Sequence, residues 1–290
     1  MPIKGTYTQI YLDSGSAVET RGALGRLGFL DGQTTNPTFF AKKNPDVRAR
    51  VDAGERFTRR ELLDTYRGLA VEISSILPDG SVSIEVYADQ KSTPDDLMRQ
   101  AREMNGWIPN AHIKLPITAA GLRAAEELVR EGVRVNMTLC FSQQQAAAVH
   151  AATRGADPGQ VYVSPFISRL DKRGENGFDL LLNIQQMYRA AQSPVSILAA
   201  SVHDVYDIAR AIEHEIDIVT VPYEDLMMWV DAGTPTTVNG LEPKNDSALA
   251  PIIFELCDHE QDWSSFSIKH ELTDQGLERF AKDWNDLLSS

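Results

Sequence analysis

The sequence predicts an α/β protein, a (β/α)8 TIM barrel with extra C-terminal helices. Three observations predict it. Eight short runs rich in aliphatic and β-branched residues recur along the chain, and they read as strands buried on both faces of a parallel sheet. Helical patterns lie between most of them. The length, 290 residues, suits one large core of this kind. An open doubly wound sheet is the alternative. A nucleotide-binding version of it would lack its phosphate cradle, because no Gly-x-Gly-x-x-Gly follows a strand and no Gly-Lys-Ser/Thr loop occurs.

The first run is Gln9–Ser14 (QIYLDS) and the second Gly28–Thr34 (GFLDGQT). Pro37–Pro78 is long for a single crossover and carries a strong helix at Thr58–Ile76. The third run is Ser81–Ala88 (SVSIEVYA). A helix over Thr93–Trp107 follows it, opened by Thr-Pro-Asp-Asp: a capping residue, then proline, then acids that suit the positive end of the helix dipole. His112–Thr118 (HIKLPIT) is fourth. The helix Thr118–Glu131 gathers Leu122, Ala125, Leu128 and Val129 on one face and stops at Gly132. Arg134–Phe141 (RVNMTLCF), Gln160–Phe166 (QVYVSPF), Val195–Ser201 (VSILAAS) and Asp217–Val221 (DIVTV) complete the strands. Ser142–Thr153, Gly177–Ala190, Val202–Ile212 and Glu224–Trp229 read as their helices.

Beyond the eighth strand, Ala232–Asp246 is rich in Gly, Pro, Thr and Asn and reads as a loop. Two more helices are expected, at about Ser247–Cys257 and Leu272–Leu288. Residues 1–290 therefore read as one barrel domain, with 232–290 as a C-terminal loop and helical extension. The terminal helices either cap the barrel or dock on a neighbouring copy, so a homo-oligomer stays open.

Composition narrows the partners. There are 41 acidic and 28 basic side chains, a formal net charge of −13. Such a mean field repels polyanions, which argues against nucleic acid and against an anionic membrane surface. Cys140 and Cys257 form no close-set pattern, Met1–Gln9 has no apolar signal core, and no apolar stretch approaches a membrane span. A cytoplasmic protein is expected. Cys257-Asp258-His259 has metal-ligand side chains, but on a helix they would point apart, so no metal site is expected there.

Polar residues interrupt the strands. Lys114 stands between Ile113 and Leu115, where lysine is rarely buried unless paired or functional. An exposed lysine on an edge strand is the plain alternative. The chemical reading is that burial disfavours the charged amine, and a neutral amine attacks carbonyls to form Schiff bases. In a barrel, His112, Lys114 and Pro116 would share one side. Asp13, Glu85, Asn136, Thr138, Ser164 and Ser201 likewise sit among apolar neighbours. Each alone could be a satisfied core group; six strands offering polar groups to one lumen is how barrel enzymes build sites. An amine facing Asp13 and Glu85 suits carbonyl–amine chemistry, which needs repeated proton transfers.

These residues carry a resemblance. Leu12-Asp13, Gln33-Thr34-Thr35-Asn36-Pro37-Thr38, Ile113-Lys114-Leu115-Pro116-Ile117-Thr118, Asn136-Met137-Thr138-Leu139, Val163-Ser164-Pro165-Phe166-Ile167-Ser168-Arg169 and Ala199-Ala200-Ser201 resemble, in order, motifs of the transaldolase family of Schiff-base aldolases. The helix around Gly276–Trp284 is similar to that family's terminal helix, less specifically. The resemblance implies that Lys114 forms the imine with the C2 carbonyl of a ketose phosphate. Asp13 would be the acid/base at the C4 hydroxyl, and Glu85 and Thr138 would hold a proton-shuttling water. The bound sugar would be met by Thr34, Asn36, Asn136, Ser164 and Phe166, and its phosphate by Arg169 with Ser201. The implied partners are sugar phosphates, a ketose donor and an aldose acceptor; no cofactor and no metal are implied.

Glu85 and Phe166 stand where the fructose-6-phosphate aldolase branch of the family has glutamine and tyrosine, which favours a transferase over an aldolase releasing free dihydroxyacetone. A noncatalytic sugar-phosphate-binding barrel is disfavoured by Lys114, Asp13 and Glu85 together. One position departs from the family pattern: His203 replaces the usual arginine or similar cation. An imidazole offers at most one donor per nitrogen and no fork. Either His203 still gives one bond to the phosphate, or the anionic group or chain length of the substrate differs.

Overall fold

The computed structural model describes residues 6–242, 244 and 248–289. Eight parallel strands close into a barrel in sequence order: β1 (Gln9–Asp13), β2 (Gly32–Thr34), β3 (Ser81–Glu85), β4 (Ala111–Pro116), β5 (Val135–Cys140), β6 (Val161–Pro165), β7 (Ser196–Ala199) and β8 (Ile218–Pro222). β1 pairs with both β2 and β8, so no edge remains. Outward residues such as Leu12, Ile113, Leu115 and Val135 are fully buried beneath the helices.

The helices begin where short polar side chains cap them. Ser16 caps α1 (Ala17–Leu27), Asn36 caps α2 (Pro37–Lys43) and Asn44 caps α3 (Pro45–Asp52). Thr58 and Glu61 form a reciprocal capping box on α4 (Arg59–Ile76), and Thr93 with Asp96 does the same for α5 (Pro94–Asn105). Then come α6 (Ala119–Arg130), α7 (Gln143–Ala152), α8 (Ile167–Asp171), α9 (Gly177–Ala190), α10 (Val205–Glu213), α11 (Tyr223–Asp231) and α12 (Glu271–Asn285). No helix among the described residues is long and apolar enough to cross a membrane.

Three sequence expectations change. The second strand starts at Gly32 rather than Gly28, which is instead the left-handed C-cap of α1, a helix the sequence reading did not name. Gly32 has no room for a side chain: a Cβ there would meet the Tyr11 ring at 2.6 Å. The tenth helix starts at Val205 because Asp204 caps it, which leaves 202–204 as a loop at the end of β7. The helix expected at about Ser247–Cys257 is absent: Ser247 lies outside the described residues, and 251–258 are irregular. Pro251 opposes helix, and Ile252 and Phe254 turn inward while Ile253 does not, the period of an extended chain. That segment is strapped to the outer helices by paired bonds between Gln143 and the Glu255 backbone and by Asn183 on the Ile252 carbonyl.

The barrel is plugged below and covered above. Below, the His112 ring stacks on Tyr162 with centroids 4.0 Å apart, and its nitrogens meet Ser81 Oγ and the Gly159 carbonyl. Above, α12 lies over the mouth of its own barrel. Gly276 permits the approach: a Cβ there would stand 2.6 Å from Leu139 Cδ2 and 3.0 Å from Arg169 Nη1.

His112 makes a stability prediction. Burial holds its pKa down at about 3. Between that value and the ordinary 6.5 the unfolded chain binds a proton that the folded chain refuses, so stability falls as pH falls. From pH 7 to pH 5 this one group removes about 2 kcal/mol. Urea unfolding of the parent and of His112→Gln at both pH values should differ in slope by that amount; parallel pH dependence would refute it.

Candidate active site

The inward residues of the upper strands surround a cavity of about 360 Å³. Asp13, Thr34, Asn36, Lys114, Thr138, Ser164, Phe166, Arg169, Ser201 and His203 all line it. Two expected residues do not. Glu85 lies behind Lys114, and Asn136 is fully buried beneath Ser164.

Lys114 is 4% exposed. Its Nζ donates to the Thr35 carbonyl at 3.0 Å and stands 3.0 Å from Glu85 Oε2. Register sets this pair, since Glu85 and Lys114 are direct neighbours across β3 and β4. Glu85 Oε2 and the ammonium form a buried ion pair. That oxygen and Thr138 Oγ1 are buried polar atoms without a hydrogen-bond partner in the protein. Burial pushes the Glu85 carboxyl up, and Lys114 opposes the shift.

The stretch Thr34-Thr35-Asn36 serves three functions in three residues. Thr34 Oγ1 donates to Asp13 Oδ1 at 2.8 Å. Thr35 turns its carbonyl to Lys114, while its hydroxyl is held by Tyr66 and the Ser83 carbonyl. Asn36 caps α2 through Oδ1 and reaches Asp13 at 3.3 Å through Nδ2. Burial raises the Asp13 carboxyl as well, against Lys114 first and the Thr34 bond second. Two carboxyls biased toward their protonated forms and one amine share the space; such a set can pass protons near neutral pH.

Beyond Lys114, Asn136 donates to Ser83 Oγ and accepts from Ser164 Oγ at 2.6 Å. It orients Ser164 and does not itself reach the cavity. Phe166 precedes α8 and packs at 5.6 Å from Phe141. Ser201 has φ 56°, a strained value for a non-glycine residue, and its carbonyl accepts from the Ser168 amide and hydroxyl.

The outer part of the cavity is cationic. Arg169 comes from α8 and Lys172 from its C-cap, Lys42 from α2 and Arg279 from α12. Arg169 lies over the rings of Phe166 and Phe280, and burial lowers its pKa with Arg279 adding to the effect. Arg169, Lys42 and Lys172 have no ion-pair partner among the described residues. His203 is 46% exposed at its side chain, and its Nδ1 is 3.1 Å from Asp225 Oδ2. Lys42, Lys172 and Arg279 escaped sequence reasoning because a cation on or just after a helix reads as solvated surface; the only cue was Lys172 three residues after Arg169.

Comparisons with known proteins point one way. A sequence model of the family described as transaldolase/fructose-6-phosphate aldolase matches residues 10–290. A protein named probable transaldolase from Dehalococcoides mccartyi is 31% identical over 279 residues, 96% of this chain and 99% of its own. One of the same name from a Roseiflexus species is 33% identical over 277 residues, 95% and 96% of the two chains. A third, from Heliobacterium modesticaldum, is 31% identical and covers 96% and 98%.

Proposed function

The chain belongs to the transaldolase/fructose-6-phosphate aldolase family, and from that membership we propose a transaldolase in which Lys114 carries a three-carbon ketose fragment between sugar phosphates. The observation that carries this reading is the 4%-exposed Lys114 beside Glu85, at the end of the barrel where Asp13 also lies.

In this reading Lys114 Nζ attacks the C2 carbonyl of a ketose phosphate. The carbinolamine loses water to give the imine. Glu85 Oε2 and Thr138 Oγ1, both short of a partner, would hold the water that moves those protons. Asp13 then takes the C4 hydroxyl proton as the C3–C4 bond breaks. The electron pair flows into the iminium, leaving an enamine on Lys114 and releasing an aldose phosphate. An acceptor aldose reverses the steps. Asn36 and Ser164 contact the three-carbon unit, Asn136 acts through Ser164, and Thr34 steadies Asp13. The phosphate meets Arg169, Lys172 and Arg279, a local positive region in a chain of net charge −13. His203, already paired with Asp225, contributes at most a single donor. Two cysteines without a disulfide, Cys140 and Cys257, suit the cytoplasm.

Glu85 and Phe166 favour transfer over free aldol cleavage, since a phenyl ring cannot order a proton-transfer water as a phenol can. The test is steady-state consumption of fructose 6-phosphate with and without erythrose 4-phosphate. Turnover that depends on the acceptor is expected. Steady release of dihydroxyacetone without acceptor would mark an aldolase instead.

A further inference from the structure

We infer that Lys244 is a positioning residue that holds together the two loops bearing the anion end of the site. The inference rests on the proposed binding of a sugar phosphate there. Lys244 lies between Asp171, at 2.8 Å, Asp204, at 3.7 Å, and Asp207, which it also hydrogen-bonds. These carboxylates belong to two different parts of the barrel. Asp171 ends α8, two residues after Arg169 and beside Lys172. Asp204 caps α10 directly after His203, and Asp207 lies in the first turn of that helix.

Three carboxylates gathered around one point repel. The ammonium turns that repulsion into mutual attraction, and the Asp207 side chain is only 1% exposed, so little water screens it. α8 is anchored in the core by Ile167 and Leu170, and Lys244 adds a charged tether at its C-terminal end. The helix is five residues long and has no side-chain cap at its start, so its own hydrogen bonds hold it weakly. Further links hold the same region: the Gly177 amide donates to Asp171, the Ile167 amide to the Ala200 carbonyl, Ser168 binds the Ser201 carbonyl, and the Ala250 backbone bonds to Gly174 and Asn176 in the turn after α8. Lys244 therefore fixes the distance between Arg169 and Lys172 on one side and Ser201 and His203 on the other, without touching the cavity itself.

The test compares the parent with Lys244→Met, Lys244→Arg and the pair Lys244→Met/Asp207→Asn, which removes the buried unpaired charge along with the tether. Calorimetric titration with inorganic phosphate reads the anion end without any chemistry. Lys244→Met should weaken phosphate and raise KM for fructose 6-phosphate about tenfold, the scale of one lost charge-assisted contact, with kcat within about twofold. Borohydride trapping of dihydroxyacetone, which has no anion, should be unchanged. Lys244→Arg should restore binding, and the double variant should be stable yet still bind weakly. Unchanged phosphate affinity in a folded Lys244→Met protein overturns the inference, as does a double variant that regains parental affinity. A parent that traps no sugar on Lys114 refutes the Schiff-base reading alone, because the phosphate titration still decides the role of Lys244.

Discussion

Lys114→Met abolishes the borohydride-stable sugar adduct and lowers transfer by about 10⁴-fold or more, the scale of losing a covalent nucleophile. Methionine nearly matches the length of the lysine stem, so the packing against β3 and β5 is kept. The charge balance is not. Glu85 loses its nearest cation, and burial already biases its carboxyl toward the protonated form. In the variant the folded chain holds that proton more firmly still, while the unfolded chain releases it near the ordinary carboxylate pKa. Stability is then fully present below that pKa and declines as pH rises through the folded one. The variant should therefore lose more stability at pH 8 than at pH 5, and adding Glu85→Gln should remove the difference. Mass spectrometry after borohydride reduction with fructose 6-phosphate checks the chemistry. An adduct in Lys114→Met, or parental turnover, would place the imine on another amine.

What made this site legible was the contrast between each residue and its strand. Lys114 among Ile113, Leu115 and Pro116, or Glu85 after Ile84, is conspicuous because a buried strand is otherwise apolar. The apolar, β-branched runs that made those residues stand out are the ones that revealed the eight strands. The contrast fails on helices and the turns that follow them, where charge is ordinary, and so Arg279 and Lys172 looked like solvent-facing residues. α1 was missed for a related reason. Its sequence, AVETRGALGRL, carries two glycines, and one of them is required by a neighbour: a Cβ at Gly22 would lie 2.7 Å from the Tyr223 hydroxyl. Pro37 and Pro45 hid α2 and α3, although each stands where its missing N–H costs nothing. The role of Lys244 was illegible in principle, because its partners are 37 and 73 residues away and meet only when the barrel closes.

The net charge looked like an argument against anionic ligands and is one only against large anionic surfaces. Most acids are spread over exposed helices, where pairs such as Arg102–Glu131 and Arg130–Glu126 neutralise them locally. Each such pair contributes little to stability. Their effect is to leave the field at the cavity to its own lining, which is cationic apart from Asp13. A cationic pocket thus coexists with a repulsive exterior, and raising ionic strength should weaken the exterior field more than the pocket.

Asp13→Asn separates the two halves of the reaction. An asparagine Oδ1 can still accept from Thr34 and Asn36, so the local geometry is kept. The amide avoids the desolvation cost that raises the Asp13 carboxyl, so stability should hold or increase. In the proposed mechanism imine formation depends on Lys114, Glu85 and Thr138, none of which is altered. Carbon–carbon cleavage needs a base at the C4 hydroxyl, and an amide cannot serve; the rate of transfer should fall by about 10²–10⁴-fold. The distinguishing result is the identity of the trapped species. Reduction of the parent during turnover of fructose 6-phosphate should leave a three-carbon adduct on Lys114. The variant should instead accumulate the six-carbon sugar phosphate, stalled as the imine. A three-carbon adduct formed by Asp13→Asn at the parental rate would mean that Glu85, through its water, performs the cleavage as well. Asp13 would then be left with only an electrostatic part in the site.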